Sequence, residues 1–514
     1  MSKTIIIIGA GLAGLSAALQ AAENGCNVKL VSSLPSERAQ SVMAEGGINA
    51  ALNTKDENDS PEEHFTDTIK AACGLADPNA VWGMTQAAPE LVHWLLKLGV
   101  KFNMSGYDDV DLRNFGGQKK KRTAFAQSDT GKQIMTAMID AVRRKEASGM
   151  VERFSHHSFL TLRLCGNICC GCVIRDEYSQ ETVELPGDAV IVATGGMHGL
   201  FGNTTGSLSN TGEVTAELFR LGVPLANGEM IQYHPTTVKC GGKRMLISEA
   251  ARGEGGRSFA MKDGKQWYFM EEKYPELGNL MPRDITAREI WKVSHESEVF
   301  LDMTEISEEI ISNKLSGLAD DCMTYLHKDI RKEPVSVLPG IHYFMGGILV
   351  DEQHRTPIQN LCAAGECCAQ YHGANRLGGN SLLGALYGGR VAAKSACEQA
   401  DVVDLSCATQ IDFPPASQIS EIKQLNKVMQ ETMGVVRNEN TLLNGIQTVQ
   451  ALTGNLPLLG MAVLKSALAR KESRGAHWRE DYPKSNDDDY LKTTVARFDG
   501  KQIQISFVPV PERR

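Results

Sequence analysis

Two arginines, two histidines and two hydroxyl residues sit in turns marked by glycine or proline along the middle of the chain. His234 and Thr236 lie in His-Pro-Thr, and Ser248 stands beside Glu249 and Arg252 in Ser-Glu-Ala-Ala-Arg-Gly-Glu-Gly-Gly. Arg283 lies in Pro-Arg-Asp, His342 in His-Tyr-Phe-Met-Gly-Gly, and Arg376 in Asn-Arg-Leu-Gly-Gly-Asn-Ser. Turns present side chains to clefts. A guanidinium fork grips a carboxylate through two parallel hydrogen bonds, so these residues, brought together, would make a site for a small dianion. Glu249 and Arg252 would need each other, or another partner, if the site is buried.

Placing such residues requires a scaffold, and the chain opens on one. Thr4 to Ile8 is an unbroken run of β-branched residues ahead of Gly9, Gly11 and Gly14; an Ala/Leu-rich stretch with helical spacing follows before Asn27 to Val31 turn β-like again. This is a dinucleotide fingerprint in context. The first glycine permits a tight turn, the second lets backbone amides approach a pyrophosphate at a helix N-terminus, and the third lets helix and strand pack closely. Where an acidic residue would hold a ribose hydroxyl the strand ends in Ser32 and Ser33, so the motif leaves the identity of the dinucleotide open. Small residues around Gln40 and Ser41, then Gly46 and Gly47, suit close approach of backbone to a planar ligand. A second apolar strand runs into Thr194 and Gly195, and two such turns around one sheet favour a flavin dinucleotide over a nicotinamide. Glu366 follows a third apolar strand, and Asn380, Ser381 and Leu382 follow the paired glycines Gly378 and Gly379 as further candidates to line the cofactor.

The expected fold is therefore α/β, with a Rossmann-type dinucleotide-binding domain over residues 1–230 and 344–400. An inserted α+β capping domain spans 231–343, where charged, glycine-punctuated segments replace the Rossmann pattern. A C-terminal helical domain and tail cover 401–514, with Ser417 to Ser473 helical in period and the tail read as a polar loop before an edge segment. Earlier helices are expected over Pro61 to Ala72, Asn79 to Leu98 and Lys132 to Lys145. His64 and His93, within the first two, read as helix-surface or satisfied core residues.

A chain of 514 residues with net charge −9 has no global basic surface for nucleic acid. No apolar run approaches the ~20 residues of a membrane helix. Thirteen scattered cysteines without a signal peptide suggest reduced thiols in a cytoplasm, and their spacing matches no zinc, iron–sulfur or haem pattern, so no metal site is expected.

Taken together, the segments resemble the flavoprotein subunit of the succinate dehydrogenase and fumarate reductase family, which includes L-aspartate oxidase. The resemblance runs nearly end to end, through GAGLAG, AEGG, FGGQ, DTG, ATGG, QYHPT, SEAARGEGG, PRD, HYFMGGI, AAGE, HGANRLGGNSL, GVVRN and ESRGAHWREDYP in order. It implies FAD as cofactor, with serine at Ser32 a family trait. Arg376 and His342 would hold one carboxylate of a four-carbon dicarboxylate, and His234, Thr236 and Ser248 the other. Arg283 would donate the proton to the substrate carbon, with Glu249 and Arg252 relaying protons to it. The resemblance also implies a cytoplasmic protein of electron transport and anaerobic respiration, held at the membrane only through a partner. Electrons would come from a separate iron–sulfur subunit, a ferredoxin or a free reduced flavin.

Two departures narrow the choice. Membrane-bound members carry a histidine that bonds covalently to the flavin; here Gln40 stands in that place within Arg38-Ala39-Gln40-Ser41, and an amide is not a nucleophile. The FAD is expected to be non-covalent, which in this family goes with fumarate reduction or an oxidase. L-aspartate oxidase has a glutamate for the substrate ammonium where this chain has Phe115. The expected activity is reduction of fumarate or a related 2-enoate, with L-aspartate oxidase as the rival enzyme and a non-catalytic flavin-binding partner as the rival of another class.

Overall fold

The computed structural model describes residues 2–106, 109–399, 407–408, 410–411, 413 and 418–514. The β-branched run Thr4–Ile8 becomes the middle strand of a five-stranded parallel sheet. The order is Leu361–Ala363, Ala189–Val192, Thr4–Ile8, Asn27–Ser32, Val151–Ser155. A parallel sheet must be covered on both faces, and the strand alternates accordingly. Ile5 and Ile7 enter a core shared with the helices Leu12–Glu23, Pro78–Lys97, Thr130–Ala147 and Asn380–Gln399. Ile6 and Ile8 face a second core, which holds Leu162, Cys169, Cys172 and Ile174 from the antiparallel strands His157–Cys165 and Ile168–Asp176. All these isoleucines are at most 3% exposed.

The chain between residues 231 and 344 builds a different kind of structure. A three-stranded antiparallel sheet, Lys243–Leu246, Ile231–Cys240 and Leu338–Phe344, stands beside a four-stranded one that carries its own apolar core of Phe269, Ile290, Leu301 and Ile311. Past residue 418 the helices Ile419–Thr432, Glu439–Val449 and Asn455–Ala469 pack against Leu200, Phe201 and Phe344. The expected boundary at residues 400 and 401 lies outside the described residues.

Two expectations change here. The tail is a β-hairpin, Lys492–Phe498 with Ile503–Pro509. Only its second strand is an edge, because Thr494, Val495 and Ala496 are buried where Lys492–Phe498 pairs with Leu225–Ala226. Cys165 and Cys407 form a disulfide across Cα atoms 5.4 Å apart, well within bridging reach, so the cysteines are not uniformly reduced. Among the described residues no helix is long and apolar enough to cross a membrane.

Candidate active site

One cavity of about 900 Å³ joins the two ends of the expected site. At one end Gly9, Gly11, Ser32, Gln40, Ser41, Gly46 and Gly47 line the wall, with Thr194, Gly195, Glu366, Ser381 and Leu382. At the other stand His234, Ser248, Glu249, Arg283, His342 and Arg376.

The first end fits a dinucleotide. A Cβ on Gly9, where φ is +109°, would lie 2.3 Å from the Ala193 carbonyl oxygen, and one on Gly14 would lie 1.8 Å from that of Gly9, so neither position admits a side chain. Gly14 is outside the cavity wall; it seats the helix on the strand. The helix Leu12–Glu23 begins at Gly11, which has no side chain to cap it, and carries no acid in its first turn, which leaves the amides after Leu12 for an anionic ligand. Ser41 Oγ accepts from the Leu12 amide at 3.3 Å and so pins the neighbouring wall to that turn. Ser32 Oγ is buried without a partner, an orphan that a ribose hydroxyl would satisfy. Asn380 is placed differently from expectation. Its side chain is fully buried away from the cavity, with Oδ1 2.8 Å from Asn49 Nδ2 and 2.9 Å from His64 Nε2, and Nδ2 donating to Thr68 Oγ1 at 3.0 Å. It holds the helix start in place, and Gly379, Ser381 and Leu382 face the cavity instead.

The second end is made by strand irregularities and helix starts. Alternation puts Gln232 and His234 on one face of Ile231–Cys240. Opposite them Gln232 pairs with Tyr343 and Tyr233 with Ile341, which leaves His342 as the extra residue of a β-bulge aimed at the cavity. A second register shift, between His234 and Thr237, falls at Pro235, which has no amide to donate. It takes Thr236 out of the alternation. Thr236 therefore stands behind His234, not at the wall: its hydroxyl donates to the Ile247 carbonyl at 2.9 Å, and its carbonyl and amide lie 3.1 and 3.3 Å from His234 Nδ1. Ser248 caps the short helix Glu249–Gly253, accepting from the Ala250 amide at 3.4 Å.

Arg283 opens the helix Arg283–Val293 directly after Pro282. Its Nε and NH2 donate to Glu249 Oε2 at 2.8 and 2.5 Å, and its NH1 donates to Gln232 Oε1 at 3.1 Å. Glu249 Oε1 accepts from the Gly116 amide at 3.1 Å and lies 3.4 Å from Arg252 NH2, one helical turn away. Arg252 is buried beside Glu249 and donates through NH1 to the carbonyl of the buried Asn279 at 2.8 Å. Glu249 thus stands between the two arginines, hydrogen-bonded to Arg283 and ion-paired with Arg252. Arg376 lies over the Tyr343 ring at 4.3 Å with its Nε unpartnered, and His234 Nε2 is likewise without a partner. The Arg376 Nε–H is a donor that a dianion would satisfy.

Electrostatics follow from burial and crowding of cations. Burial, then Arg283 and neighbouring cationic groups, holds both His234 and His342 far below the usual imidazole value, so both rings are neutral. Burial and then Arg283 lower Arg376 to about 9. Burial alone would raise the Glu249 carboxyl, but Arg283 and Arg252 hold it below the ordinary range and keep it ionised. Glu45 is the opposite case: burial and then Asp321 push its carboxyl up to about 8, with Ser248 beside it.

Gln232 escaped the sequence reading. It accepts from Arg283 while its Nε2 donates to Asn375 Oδ1 at 3.0 Å and to the Arg376 carbonyl at 2.8 Å, so one amide sets the spacing of both arginines. Its two-residue offset from His234 was the available signal.

Residues 4–382 match the family model of the FAD binding domain, and residues 452–513 match that of the fumarate reductase flavoprotein C-term. The succinate dehydrogenase flavoprotein subunit of Bacillus subtilis is 38% identical over 576 aligned residues, covering 100% of this chain and 98% of that protein. The 8-methylmenaquinol:fumarate reductase flavoprotein subunit of Wolinella succinogenes is 32% identical over 578 residues, covering 100% and 92%. A solved structure of a variant E. coli quinol fumarate reductase superposes with a TM-score of 0.90 at 27% identity, covering 99% of this chain and 97% of that one. With FAD as its cofactor, the chain belongs to the succinate dehydrogenase and fumarate reductase flavoprotein family of oxidoreductases.

Proposed function

We propose that this flavoprotein reduces fumarate or a closely related 2-enoate. The observation that carries the proposal is the buried Arg283, Glu249, Arg252 chain opening into a cavity lined by His342, by Arg376 with its Nε unpartnered and by His234 with its Nε2 unpartnered. FAD, when bound, supplies hydride chemistry. Arg376 and His342 bind one carboxylate, and His234 and Ser248 the other, with Thr236 holding the His234 ring. Neutral imidazoles donate N–H bonds, while the arginines supply the charge that a dianion needs. Arg283 delivers a proton to the substrate carbon. A guanidinium is a weak acid, and what makes it serviceable here is the ionised Glu249 in contact, through which Arg252 returns a proton at once. In the reverse direction the same residue accepts the proton. The division into a discontinuous FAD domain, a cap and a C-terminal part is proposed with this reading.

Two features support reduction with a non-covalent flavin. Gln40 stands at the cavity wall with its Oε1 already accepting from the Ser207 amide at 2.6 Å, and glutamine carries no nucleophile for the ring. Phe115, only 2% exposed, lines the wall where an ammonium would need a carboxylate. A second reading, succinate oxidation, is favoured by the 38% identity to a protein named succinate dehydrogenase. Electrons would pass through a separate iron–sulfur subunit or another external donor.

The test is an anaerobic assay of fumarate with reduced viologen beside a succinate assay with an oxidising dye. Faster fumarate turnover supports the proposal, and faster succinate turnover selects the second reading. Peroxide formed from L-aspartate in air, with neither of the other activities, would overturn both. Acid precipitation should leave yellow flavin in the supernatant; a yellow pellet would contradict the role given to Gln40.

A further inference from the structure

Gln40 does more than decline to bond a flavin. Its Oε1 accepts from the Ser207 amide at 2.6 Å, and Ser207 belongs to a tightly bonded loop. Within that loop Thr204 Oγ1 accepts from the Gly206 amide at 3.2 Å and meets His198 Nδ1 at 3.0 Å, while the Thr205 amide donates to the Ile341 carbonyl at 3.0 Å. Thr205 Oγ1 then lies 2.8 Å from His342 Nδ1. Beside Gln40, Ser41 is tied to the dinucleotide turn through the Leu12 amide. A continuous set of contacts thus runs from that turn, through residue 40 and the 204–207 loop, to the histidine at the far end of the cavity.

Thr205 Oγ1 lies 2.8 Å from His342 Nδ1 and 3.4 Å from the Ile341 carbonyl. A carboxylate held at His342 Nε2 needs the proton on that nitrogen, which leaves Nδ1 a lone pair, and the Thr205 hydroxyl is the donor in reach of it. Donation to Nδ1 requires the imidazole tautomer that carries its proton on Nε2, because which ring nitrogen is protonated is set by the bond the other makes. A ring with Nε2–H offers a donor to a carboxylate; the other tautomer would offer a lone pair and repel it.

We propose that Thr205 and Gln40 are positioning residues for substrate binding, Thr205 fixing the tautomer of His342 and Gln40 latching the loop that carries Thr205. This rests on the reading of the cavity as a dicarboxylate site. Thr205 touches no reacting atom. It acts on binding through His342.

The test uses the FAD-loaded full chain and two readouts. Binding of malonate, a dianion with no carbon–carbon bond to dehydrogenate, is followed by the change in flavin absorbance, and fumarate KM and kcat are measured separately. Losing one well-aimed donor to a carboxylate corresponds to about tenfold in affinity. Thr205→Val is therefore expected to raise malonate Kd and fumarate KM about tenfold while kcat falls by less than about threefold. Thr205→Ser, which restores the hydroxyl, is expected to recover both. Gln40→Met is expected to raise the same two constants and Gln40→Glu, which keeps an acceptor for the Ser207 amide, to restore them. Unchanged constants in Thr205→Val, or equal losses in the Val and Ser variants with FAD content intact, would overturn the inference while leaving the proposed function standing. A wild-type protein that bound neither malonate nor fumarate would overturn both.

Discussion

Replacing Arg283 by alanine separates proton delivery from mere charge. The side chain makes three hydrogen bonds, two to Glu249 Oε2 and one to Gln232, and its guanidinium is 6% exposed. Breaking a buried pair by removing one partner costs about 3–5 kcal/mol because the other charge is stranded. Glu249 keeps the Gly116 amide at 3.1 Å and Arg252 at 3.4 Å, which places the cost near the lower end of that range, about 3 kcal/mol. The chemical loss is separate: a positioned general acid contributes ~10²–10⁴-fold in rate, equivalent to ~3–5 kcal/mol of barrier. Arg283→Lys keeps the positive charge, so it should recover much of the stability, yet it lacks the fork that bridges Glu249 and the substrate and should remain at least ~10²-fold slow. The assay is anaerobic fumarate reduction on samples matched for FAD content, beside urea unfolding of both variants. FAD-loaded Arg283→Ala within tenfold of wild type would refute the assignment. Lysine restoring full activity would show that Arg283 supplies charge alone.

Three other perturbations follow from the same geometry. The proposed carboxylate grip requires Arg376 as a cation; since burial and Arg283 bring it down to about 9, affinity on that proposal is full below that pH and is lost above it, so fumarate KM should climb about tenfold per unit at still higher pH. At Glu45 the folded protein retains a proton up to about 8 that the unfolded chain gives up near 4.5. Stability should accordingly fall by on the order of a few kcal/mol as pH rises between those values and stay level beyond, a slope that Glu45→Gln should reduce in urea titrations. Gly14→Ala puts a methyl 1.8 Å from the Gly9 carbonyl oxygen and should strip FAD from the purified protein, read as lost yellow absorbance; retained flavin would mean that the turn can shift.

The elements of the dinucleotide end were legible because each obeys a local rule. A β-branched run makes the buried strand, glycines without room for Cβ make the turn, and a helix with bare amides receives the anion. What the sequence could not show was direction. Thr236 and His234 are two residues apart and read alike, yet a register shift at Pro235 sends one to the wall and the other behind it. His342 is exposed to the cavity because it is surplus to its strand's pairing, and no spacing rule in a single strand reveals a bulge that depends on its partner. Asn380 stands in a motif that starts a helix, and its own side chain is drawn away by Asn49, His64 and Thr68, residues remote in sequence.

The same limit explains why Gln40 read only as a missing histidine. Its meaning lies in a bond to residue 207, and through Thr205 in the tautomer of residue 342, a relation carried entirely by tertiary contacts. An arginine and a histidine can be counted from sequence as ligands for a dianion, but a histidine serves only if its proton is on the correct nitrogen. That choice belongs to a hydroxyl on a loop whose position is fixed from the flavin side of the cavity. Cofactor and substrate ends are therefore coupled through residue 40: a change there that leaves FAD bound should still alter how tightly a dicarboxylate is held.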